Sequence, residues 1–325
     1  MPPDTLIITF AGDSIQMPDS VFQAIDNAAT AIDPEQEYSF KDVKKDFSWI
    51  SFFLIIVIVI FSSLLRSWIN ELPRKIKAKR RRKQAEIIEA ERGSQCDSWL
   101  KKFNPYYNNL SPELRHRFLS RTIEFMLSKE FRYHSMQEEE YIPVLISGAA
   151  VQVTFGLKNF LMDYYSVINV VSKEYHIPQD DDLYYGHVSR ESISVSWNHF
   201  LQGFEDYTDS ENVGLHEMAH AVSFDVFLGQ TDHHDQAFKK RLAMFQTKGI
   251  PVFRAMRQST SHLLDDYGAT NFDEFWAVCV VTFFENTKEF SLTMPDLYWS
   301  VAELLNQDPL KYGKVLDKKL AGLAI

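Results

Sequence analysis

The stretch that decides the fold of this chain is residues 211–220, which read Glu-Asn-Val-Gly-Leu-His-Glu-Met-Ala-His. In an α-helix, His216 and His220 are one turn apart and project from the same face, so two imidazoles can bind one metal ion. Glu217, directly after the first histidine, can reach a water molecule on that metal. The motif therefore predicts a helical metal site.

Zinc is the metal that this pair of histidines suits best. Zinc binds nitrogen and oxygen ligands tetrahedrally, and its catalytic sites combine three protein ligands with a water molecule whose pKa falls towards neutrality. Glu217 would act as the general base on that water. The residues around the motif are mostly apolar, which predicts a buried helix with Asp209 or Ser210 as its N-cap. Zn²⁺ is the expected cofactor.

A third protein ligand must come from elsewhere in the chain. The metzincin pattern requires a glycine and a histidine where this chain has Ser223 and Val226, so that class is excluded. A glutamate from a downstream helix is the usual alternative. Glu274 fits this role at the start of an apolar helix, but as the third residue after Asn271 it equally fits a capping box. Glu285, three turns later on the same face, is the second candidate.

The remaining histidines are weaker candidates for metal ligands. His233 and His234 lie in a polar stretch that predicts a loop. His187, His199 and His262 are interpreted as ordinary polar or partly buried residues.

The surrounding sequence predicts a domain of mixed secondary structure. Ser111 and Pro112 are typical of a helix start, and the small apolar residues 143–155 predict a second, buried helix. The β-branched stretches 167–171 and 193–197 predict strands. These elements together indicate an α+β domain.

A membrane anchor is predicted by residues 47–65, FSWISFFLIIVIVIFSSLL, which contain no charge and no proline. This length is about that of a helix crossing the hydrocarbon core. Nine basic residues follow within 66–83, against three lysines just before the stretch, so the positive-inside rule places the C-terminal domain in the cytoplasm, at a bacterial inner membrane. The predicted order is an extracytoplasmic segment 1–46, a transmembrane helix 47–69, a basic juxtamembrane helix and linker 70–97, and a zinc peptidase domain 98–325.

Composition excludes other classes of function. With 325 residues and 45% apolar residues, the chain can bury a substantial core. The net charge of −10 argues against direct nucleic acid binding. The two cysteines, Cys96 and Cys279, are far apart and do not indicate a disulfide framework.

Several motifs together resemble the zinc peptidases of the Mlc titration factor A family, whose site is similar to that of the anthrax lethal factor peptidase domain. The matching segments are 211–220, 267–271, 274–278 and 283–285, with weaker matches at 110–113 and 193–197. The resemblance implies a zincin-like (gluzincin) α+β domain with a small mixed sheet. It also implies a metallopeptidase that acts on peptide or protein substrates, and an aminopeptidase is one form of this activity.

The resemblance also implies roles for individual residues. His216, His220 and Glu274 would bind zinc, Glu217 would be the general base, and Tyr267 would donate a hydrogen bond to the developing oxyanion. The strand at 193–197 would form the cleft edge on which an extended peptide pairs.

Two departures from the family are visible. An acidic residue is common three positions after the second histidine, where this chain has Ser223, with Asp225 nearby. The family's namesake is a soluble protein that titrates a repressor, which suggests an alternative function: a regulatory protein that sequesters a transcriptional repressor at the membrane. No fourth zinc ligand is recognisable in the sequence, and this favours catalysis.

Overall fold

The computed structural model describes residues 7–10, 13–16, 49–177, 180–189, 192–207, 209–228, 233–258 and 263–311. The chain divides into two compact units, residues 1–73 and 74–325. In the first unit, β1 (Ile7–Phe10) and β2 (Asp13–Gln16) pair in antiparallel fashion. Helix α1 (Trp49–Phe103) begins in the first unit and ends in the second.

The prediction of a transmembrane helix at residues 47–69 is wrong. Among the residues that the structure describes, no helix combines the length and the apolar character needed to cross a membrane. Helix α1 instead runs on from the apolar residues through Pro73 and the basic residues to Phe103, as one helix of 55 residues. The inner-membrane location depended on this helix and remains an untested prediction.

The second half of α1 contributes to the core of the second unit. Its residues Ala85, Cys96 and Leu100 are buried, and Gly93, expected in a linker, lies inside the helix. The basic segment is therefore continuous with the folded domain rather than separated from it.

The other elements of the second unit follow in chain order. The helices are α2 (Pro105–Asn109), α3 (Pro112–Met126), α4 (Tyr141–Thr154), α5 (Trp197–Glu205), α6 (Val213–Leu228), α7 (His233–Met256), α8 (Phe272–Glu285), α9 (Thr287–Thr293) and α10 (Pro295–Leu305). Within the described residues, 3₁₀ turns lie at Asp266–Ala269 and Pro309–Lys311. The strands are β3 (Glu130–His134), β4 (Val167–Val171), β5 (Tyr175–Ile177), β6 (Asp180–Tyr184), β7 (Gly186–Val188) and β8 (Ser192–Ser196).

The described helices and strands give a mostly helical α+β domain with a small mixed sheet. Strand order is β3-β4-β8-β7, in which β3, β4 and β8 are parallel and β7 is antiparallel. Strands β5 and β6 form a separate hairpin. The predicted strand at 167–171 is confirmed by β4, and the strand predicted at 193–197 is β8, shifted by one residue because Trp197 begins α5.

Alternation along the central strands shows which face of the sheet is buried. Ile168 and Val170 of β4 and Ile193 and Val195 of β8 are fully buried, whereas the residues that alternate with them at 167–171 and 192–194 are only partly buried; Ser196, at the end of β8, is also buried. The period of two is that of a sheet with one face packed against helices. This buried face is where α6 lies.

Helices α6 and α8 pack against each other in the centre of the core. Phe275 to Phe284 of α8 are all buried, and the indole N–H of Trp276 donates a hydrogen bond of 3.0 Å to the carbonyl oxygen of Ala219 in α6. A helix that is apolar on nearly all sides, as α8 is, must be surrounded by protein. The relative position of α6 and α8 is therefore fixed by packing.

Candidate metal centre

Helix α6 begins at a different cap from the one predicted. The backbone N–H of Leu215 donates to Oδ1 of Asn212 at 3.0 Å, so Asn212 is the N-cap. Asp209 instead accepts from the backbone of Glu211 at 3.0 Å, and Ser210 adopts a left-handed conformation with φ of 66°. The chain turns at Ser210 before the helix starts.

Glu285, the second candidate ligand, holds this helix start in place. Its Oε1 accepts from the side chain of Asn212 and its Oε2 from the backbone N–H of Ser210, both at 3.0 Å. Burial, reinforced by Asp209 and Asp206, raises the pKa of Glu285 to about 8 against the effect of the two hydrogen bonds. Glu285 therefore joins the C-terminal end of α8 to the N-terminal end of α6.

Three side chains converge between α6 and α8. Oε2 of Glu274 lies 2.8 Å from Nε2 of His216 and 3.2 Å from Nε2 of His220, and the two Nε2 atoms are 3.1 Å apart. Tetrahedral ligands at zinc bond lengths would be about 3.3 Å apart. The triangle is therefore of the size that one metal ion requires, and these three residues form a group that could hold one.

Glu274 faces the two histidines, and the N-cap of α8 is Asn271. Oδ1 of Asn271 accepts from the backbone N–H groups of Asp273 and Glu274, at 2.9 and 3.0 Å, and caps α8 alone. Although burial opposes it, hydrogen bonding to His216 and His220 lowers the pKa of Glu274 to about 2. For His220, burial lowers the pKa, but Glu274 and Glu217 outweigh it and the net shift is upward.

Glu217 stands beside this group in a buried position. Only 6% of the residue is exposed, and its Oε2 makes no hydrogen bond within the described part of the chain. Burial and the negative charge of Glu274 raise the pKa of Glu217, whereas the two histidines oppose the rise. A buried carboxylate oxygen without a partner is costly and is commonly explained by a functional role.

Tyr267 lies at the rim of the site. It belongs to the 3₁₀ turn Asp266–Ala269 and its ring centroid is 5.9 Å from that of His216. The residue is 56% exposed. Tyr267 thus lies near the three side chains that could bind a metal. Its role as a hydrogen-bond donor remains a prediction.

The other histidines take different positions. His187 is on β7, where burial and nearby His220 lower its pKa, and Nδ1 of His199 lies 2.9 Å from the hydroxyl of Ser196. His233 and His234 start α7, a helix rather than the predicted loop, and their side chains lie outside the described residues. His262 also lies outside the described residues.

The acidic residue near the second histidine has a structural contact. Oδ1 of Asp225 accepts from the backbone N–H of Tyr164 at 2.8 Å, whereas Ser223 is buried in α6. Asp225 thereby ties α6 to the segment before β4.

The predicted cleft edge is wrong. Strand β8 lies inside the sheet, between β4 and β7, and the edge strand on that side is β7. Sequence reasoning missed β7 because a strand of three residues, Gly186 to Val188, carries little periodic signal.

The three residues that could bind a metal indicate a class of protein. Two imidazoles from one helix and a carboxylate from another are the ligands of the metallopeptidase class. Residues 76–305 match the glucose-regulated metallo-peptidase M90 family, and the chain belongs to this family. The match confirms the resemblance to the Mlc titration factor A family. The chain is also 22% identical over 227 residues to the uncharacterized protein slr2042 of Synechocystis sp., an alignment that covers 63% of this chain and 81% of the relative.

Proposed function

We propose that the protein hydrolyses peptide bonds at a zinc ion held by His216, His220 and Glu274. The observation that carries the proposal is the meeting of these three donor atoms within 4.8 Å of one another. Their nitrogen and oxygen chemistry suits zinc, and the three protein ligands leave one tetrahedral position for solvent.

Each residue of the site has a distinct task in this reaction. A bound zinc ion supplies Lewis-acid polarisation and makes water more acidic. Glu217 takes a proton from the attacking water and later gives it to the leaving amine, because its buried carboxylate has a free oxygen. Tyr267 donates a hydrogen bond to the oxygen on which negative charge develops.

The edge strand β7 is the proposed docking site for the peptide main chain. It pairs with β8 on one side and is the last strand of its sheet among the described strands. An extended peptide can add to such an edge through main-chain hydrogen bonds. This arrangement brings a peptide past Glu217, which lies beside Gly186.

Elemental analysis of the purified full chain combined with a peptide-library assay tests the proposal. We expect one zinc ion per chain and cleavage of peptides, with zinc lost in His216→Ala. The control is His116→Ala, because the side chain of His116 is 77% exposed on α3 and should not affect zinc.

A second variant isolates the chemistry. Glu217→Gln should keep zinc and lose roughly 10²–10⁴-fold in hydrolysis, the usual contribution of a general base. Unchanged hydrolysis in this variant would exclude the mechanism. Sequestration of a transcriptional repressor remains the alternative hypothesis, and it would be favoured if peptides were not cleaved and repressor binding were equal in wild type and Glu217→Gln.

A further inference from the structure

Gly186 lies where the edge strand passes the Glu217 carboxylate. A Cβ atom built on Gly186 would be 2.4 Å from Cγ of Glu217 and 2.5 Å from both its Cδ and its Oε1. Real Cβ atoms do not approach other atoms so closely. The space that a side chain at position 186 would fill is occupied by the carboxylate of Glu217.

Backbone conformation does not require glycine at this position. The φ of Gly186 is outside the left-handed region, and β7 pairs with β8 in regular register, with Gly186 opposite Val195 and Val188 opposite Ile193. No bulge is present in this pairing. Glycine within a strand weakens the strand relative to alanine, so the presence of glycine at position 186 has another cause.

We propose that Gly186 is a positioning residue for Glu217, because the carboxylate of Glu217 occupies the space that a side chain at position 186 would need. The consequence for catalysis rests on the proposed function. Other tight glycines in the described chain face different groups: Gly148 faces Leu100 and Gly214 faces Phe200. The contact at Gly186 is therefore specific to the site.

A methyl group at position 186 has two ways to be accommodated. If Glu217 rotates away, its carboxylate leaves the position beside the histidines and kcat falls. If β7 moves outward, the peptide-binding edge moves too and KM rises. Displacement of about 1 Å is enough for a loss near 10²-fold.

A double-mutant cycle on thermal unfolding of the full chain tests the contact without any substrate. Gly186→Ala should lower Tm by roughly 2–8 °C in the wild-type background, as expected for overpacking. In the Glu217→Ala background, the same change should lower Tm little or raise it, because the opposing carboxylate is gone. Equal Tm losses in both backgrounds would overturn the proposal.

The matched control is Gly148→Ala in the same two backgrounds. Its added methyl meets Cδ2 of Leu100 at 2.8 Å in another part of the core, so its Tm loss should not depend on Glu217. If Gly186→Ala alone fails to fold, a folded Gly186→Ala/Glu217→Ala double variant supports the proposal, and a double variant that also fails to fold refutes it.

Kinetics supplies the second readout. Gly186→Ala should keep its zinc and lose about 10- to 100-fold in kcat/KM, and the division of the loss between kcat and KM shows whether the carboxylate or the strand has moved. Wild-type kcat/KM in this variant would contradict a positioning role. Absence of peptidase activity in the wild type would refute the proposed function, whereas the unfolding cycle would still decide the role of Gly186.

Discussion

Replacing Asn212 by alanine should destabilise the domain more than the loss of an ordinary helix cap. Asn212 is fully buried. Its Oδ1 accepts from the backbone of Leu215 at 3.0 Å, and its Nδ2 donates to the carbonyl of Gly203 at 2.6 Å and to Oε1 of Glu285 at 3.0 Å. One side chain therefore caps α6 and satisfies two further buried acceptors.

The expected loss of stability follows from these contacts. Loss of the cap costs about 1 kcal/mol, and leaving buried acceptors without their donor costs about 1–3 kcal/mol more. Asn212→Ala should thus lower the free energy of unfolding by about 3 kcal/mol. Asn271→Ala is the matched control, because Asn271 is exposed and caps α8 through backbone N–H groups alone, so it should cost about 1 kcal/mol.

Urea unfolding of both variants, followed by circular dichroism, measures the difference. The slope of the free energy against urea should stay constant, so that the shift of the midpoint reports stability. Equal losses in the two variants would refute the idea that Asn212 joins the start of α6 to the end of α8 through Glu285.

Three further predictions concern the same pair of helices. Burial raises the pKa of Glu285 to about 8 from an ordinary 4.5, so the contribution of Glu285 to stability is complete below about pH 4.5 and is lost as the pH rises through 8. Glu285→Gln should therefore flatten the plot of Tm against pH. An unchanged plot would contradict this prediction. Glu274→Gln should weaken zinc binding more than about 100-fold, measured by competition with a chelator, and unaltered affinity would exclude Glu274 as a ligand. Trp276→Phe removes the hydrogen bond to Ala219 and should cost about 1 kcal/mol in urea unfolding, whereas a neutral result would show that packing alone holds α6 against α8.

Two features of the candidate site follow from local geometry, which a sequence can reveal. The spacing of His216 and His220 places both rings on one helical face, and their Nε2 atoms are 3.1 Å apart. The cap at Asn271 is likewise encoded within three residues. Helix periodicity and capping chemistry act over a few residues, so a single sequence can reveal them.

The parts that were missed depend on contacts between distant residues. Gly186 and Glu217 come together only through the pairing of β7 with β8, and Asn212 bonds a carboxylate 73 positions later. The prediction that Asp209 or Ser210 caps α6 was wrong. Aspartate, serine and asparagine all suit an N-cap, and Asn212 takes this position because the chain turns at Ser210 before the helix starts. No local pattern carries this information.

Glu274 shows where residue patterns alone leave two answers. Its position after Asn271 is equally suited to a capping box and to a ligand. Only the packing of α8 against α6 shows that the carboxylate turns towards the histidines, at 2.8 and 3.2 Å.

Zinc-edge X-ray absorption of the purified full chain tests the central claim most directly. We expect four light-atom neighbours at about 2.0–2.2 Å, two of them with the multiple-scattering pattern of imidazole, and no sulfur. The imidazole pattern should disappear in the His216→Ala/His220→Ala variant. A spectrum with a sulfur ligand, or one without imidazole in the wild type, would contradict a zinc site formed by the two histidines of α6 and Glu274.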